Sequence, residues 1–382
     1  MRIALFSGLF YPYVLGGGEN RYYWLAKNLV NLGHQVFVYT MRLKGVPDNE
    51  SLEGININRM GIPHPHTHRA LSTLPAYFIR SSLTKKSLRE NRIDIIDANT
   101  YIPCFSAALL SRMLRIPFVV TFHDIYWGDW IKSLGRWWSQ LLGPIIEFVV
   151  GKLPHSKIIT VSNTSKKKIH RILNIPKDHI TVIPNGIDLS LFRSIEKKTP
   201  SEPTIIYVGR LVPHKNVDNL LEAFKIIKKE LPSARLKIIG SGENRKALEQ
   251  RAIELGIKDS TSFYGYIPDY KSLIAEMSNS SIFVQPSTIE GFGMVLIEAM
   301  AARLPVVAYD LQAYRDFAKH KYNAILIEPK NVEKLAEAII DVLRDSSLRK
   351  KLVDNGYRTA CKYDWSRIAE KLLQVYAQVI EE

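Results

Sequence analysis

Residues 290–301 read EGFGMVLIEAMA. An acid, Glu290, stands before two closely spaced glycines, Gly291 and Gly293. An almost wholly apolar run then carries a second acid, Glu298. The preceding run SIFVQPS predicts a short buried strand over Ser281–Gln285, ended by Pro286. Met294–Ala301 holds good helix formers and no breaker, which predicts a helix. The unit is therefore strand, glycine-containing loop and helix N-terminus. Such a terminus presents unpaired N–H groups and partial positive charge, which suits an anion. A carboxylate inside an apolar helix is costly without a partner. Glu298 must reach a polar pocket or pair with a group the sequence does not reveal. A structural acid with a buried arginine or backbone partner is the alternative.

The same unit recurs on either side. Pro203–Val208 reads as a strand, followed by Gly209-Arg210-Leu211, the loop VPHKN and a helix over Asn219–Glu230. Arg210 and Lys215 follow one strand and can aim at one anion. The planar fork and the point charge together suit a diphosphate. Arg235–Gly240, Phe263–Gly265 and Pro305–Tyr309 read as further strands. Near the N-terminus, strand Arg2–Ser7 leads into FYPYVLGGGEN, a helix over Glu19–Leu32 stopped by Gly33, and strand Gln35–Thr40. This opens a doubly wound domain. It lacks the GxGxxG fingerprint, so a nicotinamide cofactor is disfavoured. Gly16, Gly17 and Gly18 let the backbone approach a phosphate or sugar, or make only a tight turn. Ile93–Ala98, Pro117–Phe122, Lys157–Ser162 and Ile180–Pro184 complete this strand set. His123 ends one strand and should face the ligand crevice of an open α/β sheet. Residues 191–203 are polar, proline-containing and aperiodic, as a linker would be. The expected division is therefore 1–190, a linker at 191–203, 204–363, and a closing amphipathic helix at 364–382 that crosses back to the first domain.

At 382 residues, 46% hydrophobic and 23% charged, the chain suits two globular domains. Cys104 and Cys361 form neither a disulfide framework nor a zinc pattern, which fits a reducing compartment. No signal-like N-terminus and no membrane-spanning apolar run are evident, so a cytoplasmic location is expected. Net charge is +15. Residues 1–190 hold 23 Lys/Arg against 12 Asp/Glu, and residues 191–382 hold 29 against 25. The basic first half predicts an anionic partner, or serves general solubility. Residues 125–150 carry Trp127, Trp130, Trp137 and Trp138. The stripe of Trp130, Leu134, Trp137, Trp138 and Leu141, with Lys132 and Arg136 elsewhere, suits a bilayer interface. A packed core helix is the alternative. Residues 70–92 form a second basic amphipathic stretch.

Taken together, GGGEN at 16–20, HD at 123–124, IPNGID at 183–188, VGRLVPHKN at 208–216, GSGE at 240–243, EGFGMVLIEAMA and LPVVA at 304–308 make the chain resemble, end to end, the retaining glycosyltransferases of family 4. That resemblance implies an α/β fold of GT-B architecture, two Rossmann-like doubly wound domains facing a central cleft. It implies a hexose moved from a nucleotide-diphospho-sugar to a hydroxyl, with retention. Arg210 and Lys215 would neutralise the diphosphate, and Glu298 would bind the ribose hydroxyls. Glu290 would hold the transferred sugar with the backbone of Gly291, Phe292, Gly293 and Met294. His123 would touch that sugar, and Gly16 and Gly17 would approach the diphosphate. The catalytic set would thus be Glu290, His123, Arg210 and Lys215. No metal or other cofactor is expected, because the bases and the helix N-terminus supply the electrostatics. A sugar or glycolipid acceptor fits the charge and the tryptophans, with peripheral attachment to the inner membrane face through residues 125–150.

The chain departs from the family in two places. Asp310-Leu-Gln-Ala-Tyr314 replaces the family's frequent glycine pair, and Ala302-Arg303 replaces Cys-Gly. Asp94 and Asp97 frame a strand end and read as structural. The competing readings are an epimerase or phosphorylase on the same plan, or a non-catalytic membrane- or nucleic-acid-binding protein. The paired acids and glycine loops argue against the last, and nucleic acid is not the expected partner.

Overall fold

The computed structural model describes residues 1–12, 17–64, 81–99, 101–123, 125, 127 and 139–382. The chain divides into two units, Met1–Asn185 with Trp365–Glu382, and Gly186–Asp364. Residues 191–203, expected as a linker, lie inside the second unit, where Leu189–Arg193 is a short helix capped by Asp188.

In the first unit the strands are β1 (Arg2–Phe6), β2 (Gln35–Leu43), β3 (Asn49–Leu52), β4 (Ile55–His64), β5 (Ile95–Asn99), β6 (Phe118–Phe122), β7 (Lys157–Thr160) and β8 (Ile180–Val182). Their order is β3-β4-β2-β1-β5-β6-β7-β8, parallel except for the β3–β4 pair. β5 and β6 are buried at every position, as expected of strands covered on both faces. The helix Gly17–Asn31 packs on one face with the closing helix Trp365–Glu381. Ile102–Leu114, Ser139–Lys152 and Asn163–Leu173 share the other core.

One buried acid joins these layers. Asp97 Oδ1 accepts from Tyr22 Oη at 2.6 Å and Thr121 Oγ1 at 2.9 Å, and Oδ2 accepts from Tyr376 Oη at 2.5 Å. Three hydroxyl donors answer the carboxylate, so its burial is compensated. Tyr376 belongs to the closing helix, which is thereby fastened to the first sheet. Asp94 accepts from the Arg2 amide at 2.7 Å.

The second unit holds β9 (Thr204–Val208), β10 (Arg235–Ile239), β11 (Thr261–Gly265), β12 (Ile282–Gln285), β13 (Val306–Tyr309) and β14 (Ile325–Ile327). Their order is β11-β10-β9-β12-β13-β14, parallel throughout. Renumbered within the unit this is 3-2-1-4-5-6, the doubly wound dinucleotide-binding order. Its crossover reverses between β9 and β12, so a ligand crevice is expected outside their carboxyl ends. The first sheet reverses between β1 and β5.

Of the basic stretch 70–92, residues 81–90 form a helix with Leu88 buried and Lys86 and Arg89 exposed; residues 70–80 lie outside the described residues.

Candidate functional site

The strand ends at the second reversal bring together most of the predicted residues. β9 runs into Gly209-Arg210, and β12 runs into Pro286 and the acid loop. Gly240, which follows β10, has φ +139, and a Cβ there would lie 1.9 Å from the Gly209 carbonyl oxygen. Only a glycine lets the two loops touch backbone to backbone.

Lys215 closes the short turn Pro213–Lys215. Its Nζ lies 2.6 Å from Glu290 Oε1, with the side chains 12% and 13% exposed. Gln285 Nε2 also donates to Glu290 Oε1, at 3.2 Å, and to Ser287 Oγ at 2.7 Å. Asn216 staples the basic loop to the acid loop. Its Nδ2 donates to the Pro286 carbonyl and to Thr288 Oγ1, and the Thr288 amide donates to the His214 carbonyl at 2.9 Å. Lys215 and Glu290 are thus held in register by neighbours that carry no charge. Arg210 is exposed, and its guanidinium has no hydrogen bond or ion pair among the described residues. Burial lowers the His214 pKa, helped by Lys215 and Arg210.

The helix Met294–Ala301 begins at Gly293, whose φ of +89 is left-handed. A Cβ there would lie 2.4 Å from Tyr314 Cε1. Tyr314 is fully buried, and burial and the charge of Glu290 raise its hydroxyl well above the usual phenol range. Phe317 packs on Tyr314 with ring centroids 6.2 Å apart. Phe292, Phe317 and Tyr363 form a cluster with centroids 5.4–6.0 Å apart. The loop 290–294 therefore rests on an aromatic bed supplied in part by the segment where the glycine pair is replaced.

Glu298 has the partner its apolar setting demanded. Its Oε1 accepts from Tyr270 Oη at 2.9 Å. Burial raises the Glu298 pKa, and the Tyr270 bond opposes this. Tyr270 begins the helix Tyr270–Ser278 behind the cap Asp269, and sequence reasoning missed it. A hydroxyl two residues past Pro268 offered no periodic signal.

In the first unit, His123 follows β6. Its Nε2 is buried without a hydrogen-bond partner among the described residues and sits 3.2 Å from where a Cβ on Gly18 would lie. Asn99 Nδ2 is 3.0 Å from the same point, and Asn99 Oδ1 also lacks a partner among the described residues. Burial, and secondarily the charge of Arg21, hold His123 down to about 3, so the imidazole is neutral at physiological pH. Arg21 is itself 1% exposed and donates from Nη1 to the Pro184 carbonyl at 2.6 Å and Asn185 Oδ1 at 3.0 Å. The glycine-loop helix is thereby tied to the first residues of IPNGID. Gly17 is the first residue of that helix. Gly16, Asp124, Trp130, Trp137 and Trp138 lie outside the described residues. Among the described residues, no three His, Cys, Asp or Glu side chains gather as a metal-ligand set.

Comparison with known proteins accords with this arrangement. Residues 15–191 match the family described as Glycosyltransferase Family 4, and residues 190–359 match Glycosyl transferases group 1. An uncharacterized glycosyltransferase of Methanocaldococcus jannaschii is 31% identical over 100% of this chain and 99% of its own length. Among solved structures, the sucrose-phosphate synthase of Thermosynechococcus elongatus superposes with a TM-score of 0.81 at 22% identity, covering 100% and 99% of the two chains. The Anabaena protein HepE, solved in complex with UDP-glucose, gives 0.73 at 19% identity over 99% and 100%. With both halves matched and a relative 31% identical from end to end, the chain belongs to the family 4, group 1 glycosyltransferases and has their GT-B fold.

Proposed function

We propose that this glycosyltransferase moves a hexose from a nucleotide-diphospho-sugar to a hydroxyl acceptor with retention of anomeric configuration. The observation that carries the reading is the Lys215–Glu290 pair, with the Arg210 guanidinium unpaired among the described residues, at the β9/β12 reversal. An incoming diphosphate gives Lys215 a doubly charged partner in place of a single carboxylate. It also meets the fork of Arg210. Glu290, released, turns to the hydroxyls of the transferred sugar, alongside the backbone of Gly291, Phe292, Gly293 and Met294. Glu298, held by Tyr270, takes the ribose hydroxyls. As the glycosidic bond breaks, negative charge grows on the leaving diphosphate, and the two bases stabilise it without reorganising. No protein metal is needed in this scheme. His123 is assigned to the transferred sugar as a neutral hydrogen-bonding group, and Gly16 and Gly17 to the diphosphate.

A glycolipid acceptor and a peripheral membrane position at the inner face belong to the same proposal. The helix Ser139–Lys152 exposes Leu142 (44%), Ile145 (59%), Phe148 (47%) and Val149 (40%), and Trp127 is 45% exposed. Lys152 Nζ lies 5.8 Å from the Phe148 ring centre. An apolar stripe with a basic neighbour supports interfacial docking. No helix among the described residues is long and apolar enough to cross a membrane.

NMR of a reaction with donor and acceptor tests the reading. The expected product carries the donor's anomeric configuration. An inverted product, an epimerised sugar or free sugar phosphate contradicts it, the last two favouring an epimerase or phosphorylase.

A further inference from the structure

A cavity lies at the opposite end of the second sheet, where its strands begin. It measures about 500 Å³, within the roughly 300–1,000 Å³ of small-molecule sites. It opens where strands begin: Pro203 precedes β9, Ser281 precedes β12 and Pro305 precedes β13. Arg210 and Glu290 lie past the carboxyl ends of β9 and β12. A strand of five residues rises about 3.3 Å per residue, so roughly 16 Å of sheet separates the two ends.

Four cations line this cavity: Lys197, Arg303, Arg349 and Lys350. Its single acid, Glu202, is already paired with Arg235 Nε at 2.9 Å. Among the described residues none of the four cations is in an ion pair. Lys197 Nζ donates to the Arg303 carbonyl at 2.9 Å, and Arg349 Nη1 to the Leu343 carbonyl at 2.8 Å. The Arg303 guanidinium lies 3.8 Å from the centre of the Tyr357 ring.

Folding accounts for part of this arrangement: Arg349 donates to the Val342 and Leu343 carbonyls in the last turn of the helix Val332–Arg344, and Arg303 lies just past the end of Met294–Ala301. Lys350, one residue after Arg349 on the helix Ser346–Ala360, adds a further cation. Arg303 holds φ +57, where a glycine would be unstrained. Lys197 is exposed overall and lines the cavity. Desolvation, and then the charges of Arg303 and Arg349, lower its pKa. A bound anion would offset the repulsion among these cations. Guanidinium forks with ammonium groups match phosphate oxygens, and Thr199, Ser201 and Ser346 also line the cavity.

We propose that this cavity binds a phosphorylated small molecule of charge −2 or more, at a site separate from that of the sugar donor. Its ligand would join Lys197, on the segment leading into β9, to Arg349 and Lys350 on the helix opposite.

The test is calorimetric titration of the full chain with inorganic pyrophosphate at ~0.15 M salt, where weak surface attraction is screened. The chain carries Arg210→Ala/Lys215→Ala, which removes the bases assigned to the donor. One pyrophosphate site should persist. Adding Lys197→Glu/Lys350→Glu, both at exposed positions, should weaken it at least tenfold with unchanged circular dichroism. Arg303→Gln should act in the same direction. Absence of pyrophosphate binding in the first variant, or equal affinity in the second, overturns the proposal. Phosphatidylglycerol vesicles form a parallel arm. Vesicle binding that depends on Lys197 and Lys350 without pyrophosphate binding identifies a lipid surface and also overturns it.

Discussion

Lys215 Nζ and Glu290 Oε1 lie 2.6 Å apart across two loops that are 75 positions apart in sequence. Neither loop alone holds the pair. Asn216 and Thr288 clamp the loops together, and Gln285 shares the carboxylate. In the proposed function the pair is an exchange point, at which one cation passes from a carboxylate to a phosphate.

Lys215→Ala should lower kcat/KM by ~100-fold or more, the usual scale for removing a group that stabilises developing charge. Glu290→Gln, which keeps the size and shape of the side chain, should lose activity mainly in kcat. Both should stay folded, since leaving one member of the pair with its uncharged partners costs about 1–3 kcal/mol. Steady-state kinetics beside thermal melts checks this, and undiminished turnover in both variants would remove the assignment.

Glu298 gives a pH signature. Its folded pKa lies above 4.5 because burial disfavours the anion. Between 4.5 and that raised value the folded state binds more protons than the unfolded chain. Its contribution to stability is therefore most favourable below 4.5 and is lost as pH rises through the folded value. Glu298→Gln should raise the melting temperature at pH 7 relative to the parent, with the gap closing towards pH 4. The same variant should lose most transfer. Melting curves from pH 4 to 8 decide it; a gap independent of pH contradicts the assignment.

Gly18→Ala places a methyl 3.0 Å from Asn99 Nδ2 and 3.2 Å from His123 Nε2. One of the two must give way. A loss of about 1–3 kcal/mol in stability is expected, with kcat reduced. Because His123 stays neutral down to about 3, kcat in the parent should show no titration of His123 between pH 5 and 8. A bell limb near 6.5 that disappears in His123→Ala would refute the neutral role.

Tyr376→Phe removes one of three donors to Asp97. A buried carboxylate losing one bond should cost about 1–3 kcal/mol. The closing helix should then lose amide-exchange protection before the first sheet does. Simultaneous loss in both would mean that Asp97 is not its anchor.

Much of this fold was legible because buried parallel strands announce themselves as short apolar runs, as in Ile282–Gln285 and Val306–Tyr309. β4 carries no such run, although Ile55 and Ile57 are buried while Asn56 is exposed. Its Arg59 breaks the polar–apolar reading by being 3% exposed, its two terminal nitrogens paired with the Pro47 and Tyr11 carbonyls and Glu50. The charged members of the site could be read from their loops. Their supports could not. Tyr270 and Arg21 act through contacts 28 and 164 positions away. Tyr314 and Asn99 are likewise remote in the chain from the glycines they face. No local pattern encodes such pairings. The tryptophan stripe falls largely outside the described residues, so its case rests on the exposed face of Ser139–Lys152.

The central claim is that Lys215 and its neighbours bind a nucleotide-diphospho-sugar. A thermal-shift comparison of UDP-, GDP- and ADP-hexoses on the parent and on Lys215→Ala tests it most directly. At a hundredfold excess over Kd, binding stabilises the folded state by about 2.7 kcal/mol. At least one donor should raise the parent's midpoint and leave Lys215→Ala unmoved. No shift with any donor, or an equal shift in both proteins, would contradict the account.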